Sequence, residues 1–183
     1  MFALYTTVDG RISRKQWWLG AIGLAVAGLI LGFLFAASGF SPIPDLRALA
    51  ESDADGATFS AAINAAFKRT AWLNLLLLLI LAYPSYCLSV KRRHDRDNAG
   101  HDVLVYTALT ALLGLFQALG VGIVQTDIGN GFTAPGPSMW LSIVYVVPGI
   151  LGIYLFVVLG FLRGTSGSNR YGADPVLGPA VAT

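Results

Sequence analysis

The chain has 183 residues, is 55% hydrophobic and only 12% charged, and carries a formal net charge of +2. That charged fraction is about half the share usual in a soluble domain, and so small a net charge gives no reason to expect a nucleic-acid binder. The single cysteine, Cys87, excludes an internal disulfide and reads as a small buried apolar residue.

Four windows contain no Asp, Glu, Lys or Arg: Gln16–Pro44, Thr70–Val90, Val103–Thr126 and Ile128–Leu162, of 29, 21, 24 and 35 residues. A helix rising ~1.5 Å per residue needs about 20 apolar residues to cross ~30 Å of hydrocarbon. The expected fold class is therefore an all-α integral membrane protein, a four-transmembrane-helix bundle, with spans at about 17–37, 70–90, 103–124 and 139–162. Those spans leave no room for a separate soluble domain, so residues 1–183 are read as a single membrane domain.

Before the first span, Asp9-Gly10 is a turn signal, and Ser13 with Gln16 has the spacing of a capping box. Trp17 and Trp18 fall where aromatic residues favour the headgroup level. The apolar run that follows exceeds the 7–15 residues of a signal-peptide core, so an uncleaved span is expected. Along it, Ala21, Ala25, Gly28, Gly32 and Ala36 form a small-residue stripe, and Ala111, Gly114, Ala118 and Gly122 form another on the third span. Such stripes let helices approach closely, either within one bundle or between copies, and packing within the bundle is the simpler reading.

The first outer loop, 38–69, contains Pro42 and Pro44, a short amphipathic turn through Leu46, Leu49 and Ala50, and a turn over residues 52–56. Asp53 and Asp55 lack the other ligand positions of a calcium loop. Phe59, Ile63 and Phe67, four residues apart, are expected to form an interfacial helix or an outward extension of span 2. Pro84 and Pro148 predict kinks in spans 2 and 4, and the Gly- and Pro-rich loop 125–138 reads as irregular coil. The spans carry no ionisable residue of the kind coupled carriers use, only neutral groups such as Asn74 and Gln117.

This arrangement places residues 1–16, 91–102 and 163–183 on one side of the membrane. That side has nine basic residues against three on the other, and net charges of +4 and −2 respectively. By the positive-inside rule both termini are expected in the cytoplasm. The same side gathers three polar stretches: GRISRKQWW (10–18), KRRHDRDNAGHD (91–102) and GTSGSNRYGADP (164–175).

In these three stretches and their order the chain resembles the domain-of-unknown-function 805 family of small bacterial inner-membrane proteins. Gly10, Arg11, Arg14, Trp17 and Trp18 match its first motif, and Arg92, His94 and Asp95 its central R-x-H-D loop. Gly164, Gly167, Asn169, Arg170, Tyr171, Gly172, Asp174 and Pro175 match its last. The chain departs from the pattern at Arg93, usually apolar, at His101, usually Trp, and in its longer first outer loop. The resemblance implies a bacterial inner-membrane location and little about activity.

Three readings of these motifs follow from chemistry. In a structural clasp, Arg11, Arg14, Arg92 and Arg170 pair with Asp95, Asp102 and Asp174 and tie both termini to the central loop. In an anion site, the arginines, the start of the first long helix and the Gly-rich tail take a lipid phosphate or another phosphorylated ligand. In a metal or catalytic centre, His94 and His101 would share a helical face, but zinc-enzyme spacing and nucleophile signatures are missing. The expected function is a non-enzymatic inner-membrane protein that binds an anionic phospholipid or a membrane-protein partner through Arg11, Arg14, Arg92, His94, Asp95, Asn169, Arg170 and Asp174. An accessory subunit of a membrane complex would fit, with no cofactor expected. The alternative is an oligomeric pore or transporter assembled through the small-residue faces.

Overall fold

A computed structural model of the chain describes residues 3–39, 47, 55–129 and 131–176. The elements run in the order α1 (Ala3–Thr6), α2 (Arg14–Ala37), α3 (Gly56–His94), α4 (His101–Leu119), β1 (Ile123–Gly129), β2 (Phe132–Pro137) and α5 (Met139–Gly160). Helices α2, α3, α4 and α5 are each long and apolar enough to cross a membrane. Their surfaces fit that solvent: Leu29, Phe33, Ile143 and Ile153 are all more than 60% exposed, a pattern water would not tolerate but hydrocarbon does.

Helix α2 begins as its sequence specifies. The Ser13 N–H donates to Gln16 Oε1 at 2.8 Å, and the Gln16 N–H donates to Ser13 Oγ at 3.3 Å, which closes the capping box. Trp17 is 7% exposed and packs into a core with Ile12, Leu88, Val90, Val103, Leu155 and Leu159, so its ring faces its own chain.

Helix α3 has 39 residues, so it is about 58 Å long and far exceeds one span. At its start Asp55 is the cap: the Thr58 N–H donates to Asp55 Oδ1 at 2.8 Å, and these bonds hold the carboxyl below its usual range. The stripe of Phe59, Ile63 and Phe67 is thus an extension of the span-2 helix. At the other end Lys91–His94, expected in a loop, are helical. Basic residues suit a helix C-terminus, where carbonyl dipoles point outward. The stop is a Schellman motif, with the Asn98 N–H on Arg93 O at 3.1 Å and the Asp97 N–H on His94 O at 3.0 Å. Asp97 takes the left-handed position, at φ 56°, where glycine is usual.

Span 3 ends earlier than 124 for the same reason. Gly120, at φ +75°, closes a second Schellman motif in which the Val121 N–H bonds Phe116 O at 2.8 Å. Gly122 therefore lies outside the helix, which corrects its assignment to a helix-packing stripe. Its φ is +72°, and a Cβ there would lie 2.5 Å from Trp140 Cζ2, so glycine is required by a turn and a close approach.

Loop 125–138 is not irregular coil, as its Gly and Pro content implied, but an antiparallel hairpin. Ile123 pairs with Pro137, Thr126 with Ala134 and Gly129 with Phe132, with an irregularity between Asp127 and Gly129. In a two-stranded ribbon each strand has an open edge, so Pro135 and Pro137 disturb no further ladder. The hairpin docks on the first turns of α3. The Thr133 N–H donates to Ser60 Oγ at 2.9 Å, Gln125 Nε2 donates to Asn64 Oδ1 at 2.6 Å, and the Phe59 and Phe132 rings meet edge-on at 5.3 Å.

Contacts divide the chain into two units. One comprises residues up to 28, 79–110 and from 148 onward, and contains the core around Trp17 and Leu88. The other comprises 29–78 and 111–147, with Ala71, Leu75 and Ala118 at its centre. Within the first, a Cβ on Gly28 would sit 3.3 Å from a Leu81 methyl; within the second, Gly114 lies under Leu75 and Gly32 near Leu77. The expected turns at Pro42 and Pro44, at Leu46, Leu49 and Ala50, and at 52–54 with Asp53 lie outside the described residues.

Candidate functional site

The Arg/Asp motifs meet in the first unit, around one carboxylate. Asp95 follows the last residue of α3 and is 4% exposed. Arg92, one turn earlier, is completely buried and pairs with Asp95 Oδ2 through Nη1. Its remaining donors go to backbone, Nε to Leu159 O at 2.9 Å and Nη2 to Leu162 O. These are carbonyls at the end of α5, which an α-helix leaves without partners. The arginine of one helix end therefore caps another.

Arg11 approaches Asp95 from the N-terminal segment. Its Nη2 and Nε donate to Oδ1 at 3.0 and 3.2 Å, and its other bonds reach the tail at Thr165 O (2.8 Å), Gly167 O (2.7 Å) and Gly172 O (3.2 Å). The tail returns the contact through Asp95's backbone oxygen, which accepts from the Thr165 N–H at 2.8 Å and the Thr165 hydroxyl at 3.1 Å. One carboxylate thus joins two buried guanidiniums, and carbonyl oxygens take up their remaining donors. Without those carbonyls the desolvation cost of so much buried charge would outweigh the ion pairs.

A second layer lies beside it. His94 stacks on Tyr171 with ring centres 3.8 Å apart and planes within 5°, and His94 Nδ1 lies 3.1 Å from Gly10 O. Because a carbonyl only accepts, that nitrogen carries the proton. Asn169 Nδ2 donates to His94 O at 2.9 Å. Arg170 covers Tyr171 and grips Asp97 twice, from Nε to Oδ1 at 3.0 Å and from Nη2 to the backbone oxygen at 2.7 Å.

Of the expected ion pairs, those of Arg11 and Arg92 with Asp95 are present. The others are rearranged. Arg14 donates to Phe161 O at 3.1 Å, Arg170 pairs with Asp97, and Asp102 pairs with Arg93 at 2.9 Å. Asp174 accepts the Gly167 N–H at 3.0 Å and the Val176 N–H at 2.9 Å, folding the tail on itself. His94 and His101 fall on different helices, α3 and α4, because the Asp97 turn separates them, so the seven-residue interval places them on no common helical face. Among the described residues no group of three or more His, Cys, Asp or Glu could hold a metal ion. Arg93, Asp97, Thr165 and Gly164 were not foreseen. Arg93 is one of the departures from the family pattern, and Gly164 is a glycine whose role only its neighbour reveals.

Beside Asp95 lies a cavity of about 270 Å³ lined by Ser13, Arg14, Arg92, Arg163, Thr165 and Ser166, with Asp95 and Asp174 at its wall. Arg163 is exposed there, with no hydrogen bond or ion pair to any described residue.

A family model described as "Protein of unknown function (DUF805)" matches residues 5–132. The first two motifs fall in that match, whereas the tail that closes the clasp, 164–175, lies beyond it. The chain is 27% identical over 165 residues to "Uncharacterized protein YiiR" of Escherichia coli (strain K12), covering 90% of this chain and 83% of that protein. It is 22% identical over 174 residues to "Inner membrane protein YhaI" of the same organism, covering 95% and 90%. No solved structure matches it.

Proposed function

The chain belongs to the family described as proteins of unknown function DUF805, and from that premise we propose that it is a non-enzymatic inner-membrane protein whose polar cap binds an anionic phospholipid headgroup. In this reading the four long helices form one bundle, both termini are cytoplasmic, and the Asp95 clasp is the floor of the lipid site. An accessory role in a larger membrane complex is compatible with it.

The observation that carries the proposal is the cavity beside the clasp. Arg92 and Asp95 neutralise one another at its floor, while Arg163 and the outer donors of Arg14 remain for a ligand. Guanidinium forks suit phosphate oxygens, and the hydroxyls of Ser13, Thr165 and Ser166 add neutral donors. The first turn of α2 contributes its positive dipole end at the same place. Basic clusters next to spans also attract anionic headgroups generally, by about 1 kcal/mol per residue. The pore alternative is weakened because Gly28 and Gly114 lie against α3 of their own chain, so these two glycines serve packing within the chain.

Native mass spectrometry of the detergent-extracted protein tests the proposal. Phosphatidylglycerol is expected to remain bound in preference to phosphatidylcholine. The double variant Arg14→Gln/Arg163→Gln should lose that preference at least fivefold and keep its melting temperature. Equal retention of both lipids, or an unchanged preference in the variant, would refute it.

A further inference from the structure

A second cavity, of about 210 Å³, lies in the first unit and is lined by Trp17, Ser85, Ser89, Tyr106, Thr107 and Phe156, with no charged residue at its wall. All of these residues belong to the four charge-free windows.

Two of its hydroxyls behave differently from those elsewhere in the helices. Hydroxyls in apolar helices commonly turn back to the carbonyl four residues earlier. Ser60, Thr70, Thr107, Thr110 and Ser142 do so, at 2.7–3.0 Å. Ser85 and Ser89, one turn apart on α3 and both half-buried, have no hydrogen-bond partner among the described residues. Trp17 adds a third donor of the same kind. Its Nε1 is buried without an acceptor, whereas the adjacent Trp18 donates to Gly160 O at 3.1 Å. Buried donors are nearly always paired, so the buried Trp17 Nε1, with the two half-buried serine hydroxyls beside the same cavity, calls for an acceptor.

The shape of the acceptor follows from the lining. An apolar cavity of about 150 Å³ takes a benzene ring, so this one has room for one substituted ring. Trp17, Tyr106 and Phe156 offer aromatic surfaces suited to a flat partner. The absence of charge at the wall requires a neutral ligand, since an ion would be desolvated there without compensation. We infer that this cavity binds the ring of a lipid-soluble quinone, whose carbonyl oxygens accept hydrogen bonds from Ser85, Ser89 and Trp17. The site is separate from the anionic-headgroup site and does not depend on it.

Isothermal titration of the purified full-length protein in detergent with decylubiquinone tests this. Saturable binding is expected, at least tenfold weaker in Ser85→Ala/Ser89→Ala at unchanged melting temperature, and abolished by Ser89→Leu, which fills the cavity. Decylbenzene, which has the tail and ring but no carbonyl, should not bind, and Arg14→Gln/Arg163→Gln should bind the quinone as the parent does. No saturable binding, an unchanged affinity in the double serine variant, or equal binding of decylbenzene would overturn the inference. Displacement of the quinone by diacylglycerol at equal affinity would assign the donors to a lipid ester and overturn it too.

Discussion

Asp95→Ala should destabilise the folded protein by about 3–5 kcal/mol, the usual consequence of removing one partner from a buried charge network. The argument rests on what remains. The Arg92 and Arg11 side chains are each 1% exposed, and without the carboxylate both guanidiniums would stay buried with only carbonyl dipoles for company. Arg92→Ala should cost a similar amount by the complementary route, since it also strips the donors from Leu159 O and Leu162 O. Asp95→Asn should fall between these and the parent, because an amide keeps acceptor geometry but not charge. The control is Arg170→Ala. Its ion pair with Asp97 has side chains 60% and 48% exposed, and exposed pairs contribute about 0–1 kcal/mol. Denaturation followed by tryptophan fluorescence in a fixed detergent gives all four values. A loss below about 1 kcal/mol for Asp95→Ala would show that the carboxylate is not the keystone of the clasp.

The clasp shows how far local pattern reaches. Charge-free windows locate the four membrane-length helices because burial in hydrocarbon is a composition rule, applied residue by residue. Where a helix stops is decided by less visible chemistry. Gly120 is an evident C-terminal signal once the Schellman bonds are seen, but Asp97 performs the same role with a side chain that usually avoids φ above zero. The hairpin was hidden by its own glycines and prolines, although Ile123, Val124, Thr126, Ile128 and Phe132 favour strands. At the site, charge complementarity foreshadowed Arg11 and Arg92 on Asp95. It could not say that Asp102 belongs to Arg93, or that Arg170 belongs to Asp97, because those choices depend on how the turn at 95–100 directs each side chain.

Gly164→Ala should be nearly as damaging as loss of Asp95 itself. A Cβ at that position would lie 1.9 Å from Asp95 Oδ2, 2.5 Å from its Cγ and 2.9 Å from its backbone oxygen. No rotamer of alanine relieves the overlap, so either the carboxylate leaves the two arginines or the tail lifts from the clasp. Both outcomes expose the same buried charge, and the expected cost is again about 3–5 kcal/mol. The interaction between the two positions identifies the mechanism. In Asp95→Ala/Gly164→Ala the side-chain clash has gone and only the 2.9 Å approach to the residue-95 backbone oxygen remains, so the double variant should lose clearly less than the sum of the two single losses, a non-additive cycle. Gly167→Ala separates crowding from backbone preference. Nothing lies within 4 Å of a Cβ there, but φ is +76°, so only the left-handed penalty of about 1–2 kcal/mol applies. If Gly164→Ala cost no more than Gly167→Ala, or if its effect simply added to that of Asp95→Ala, the tail would not be packed on the carboxylate as described. Full coupling would instead make Gly164, a residue with no functional group at all, the position that keeps Asp95 between its arginines.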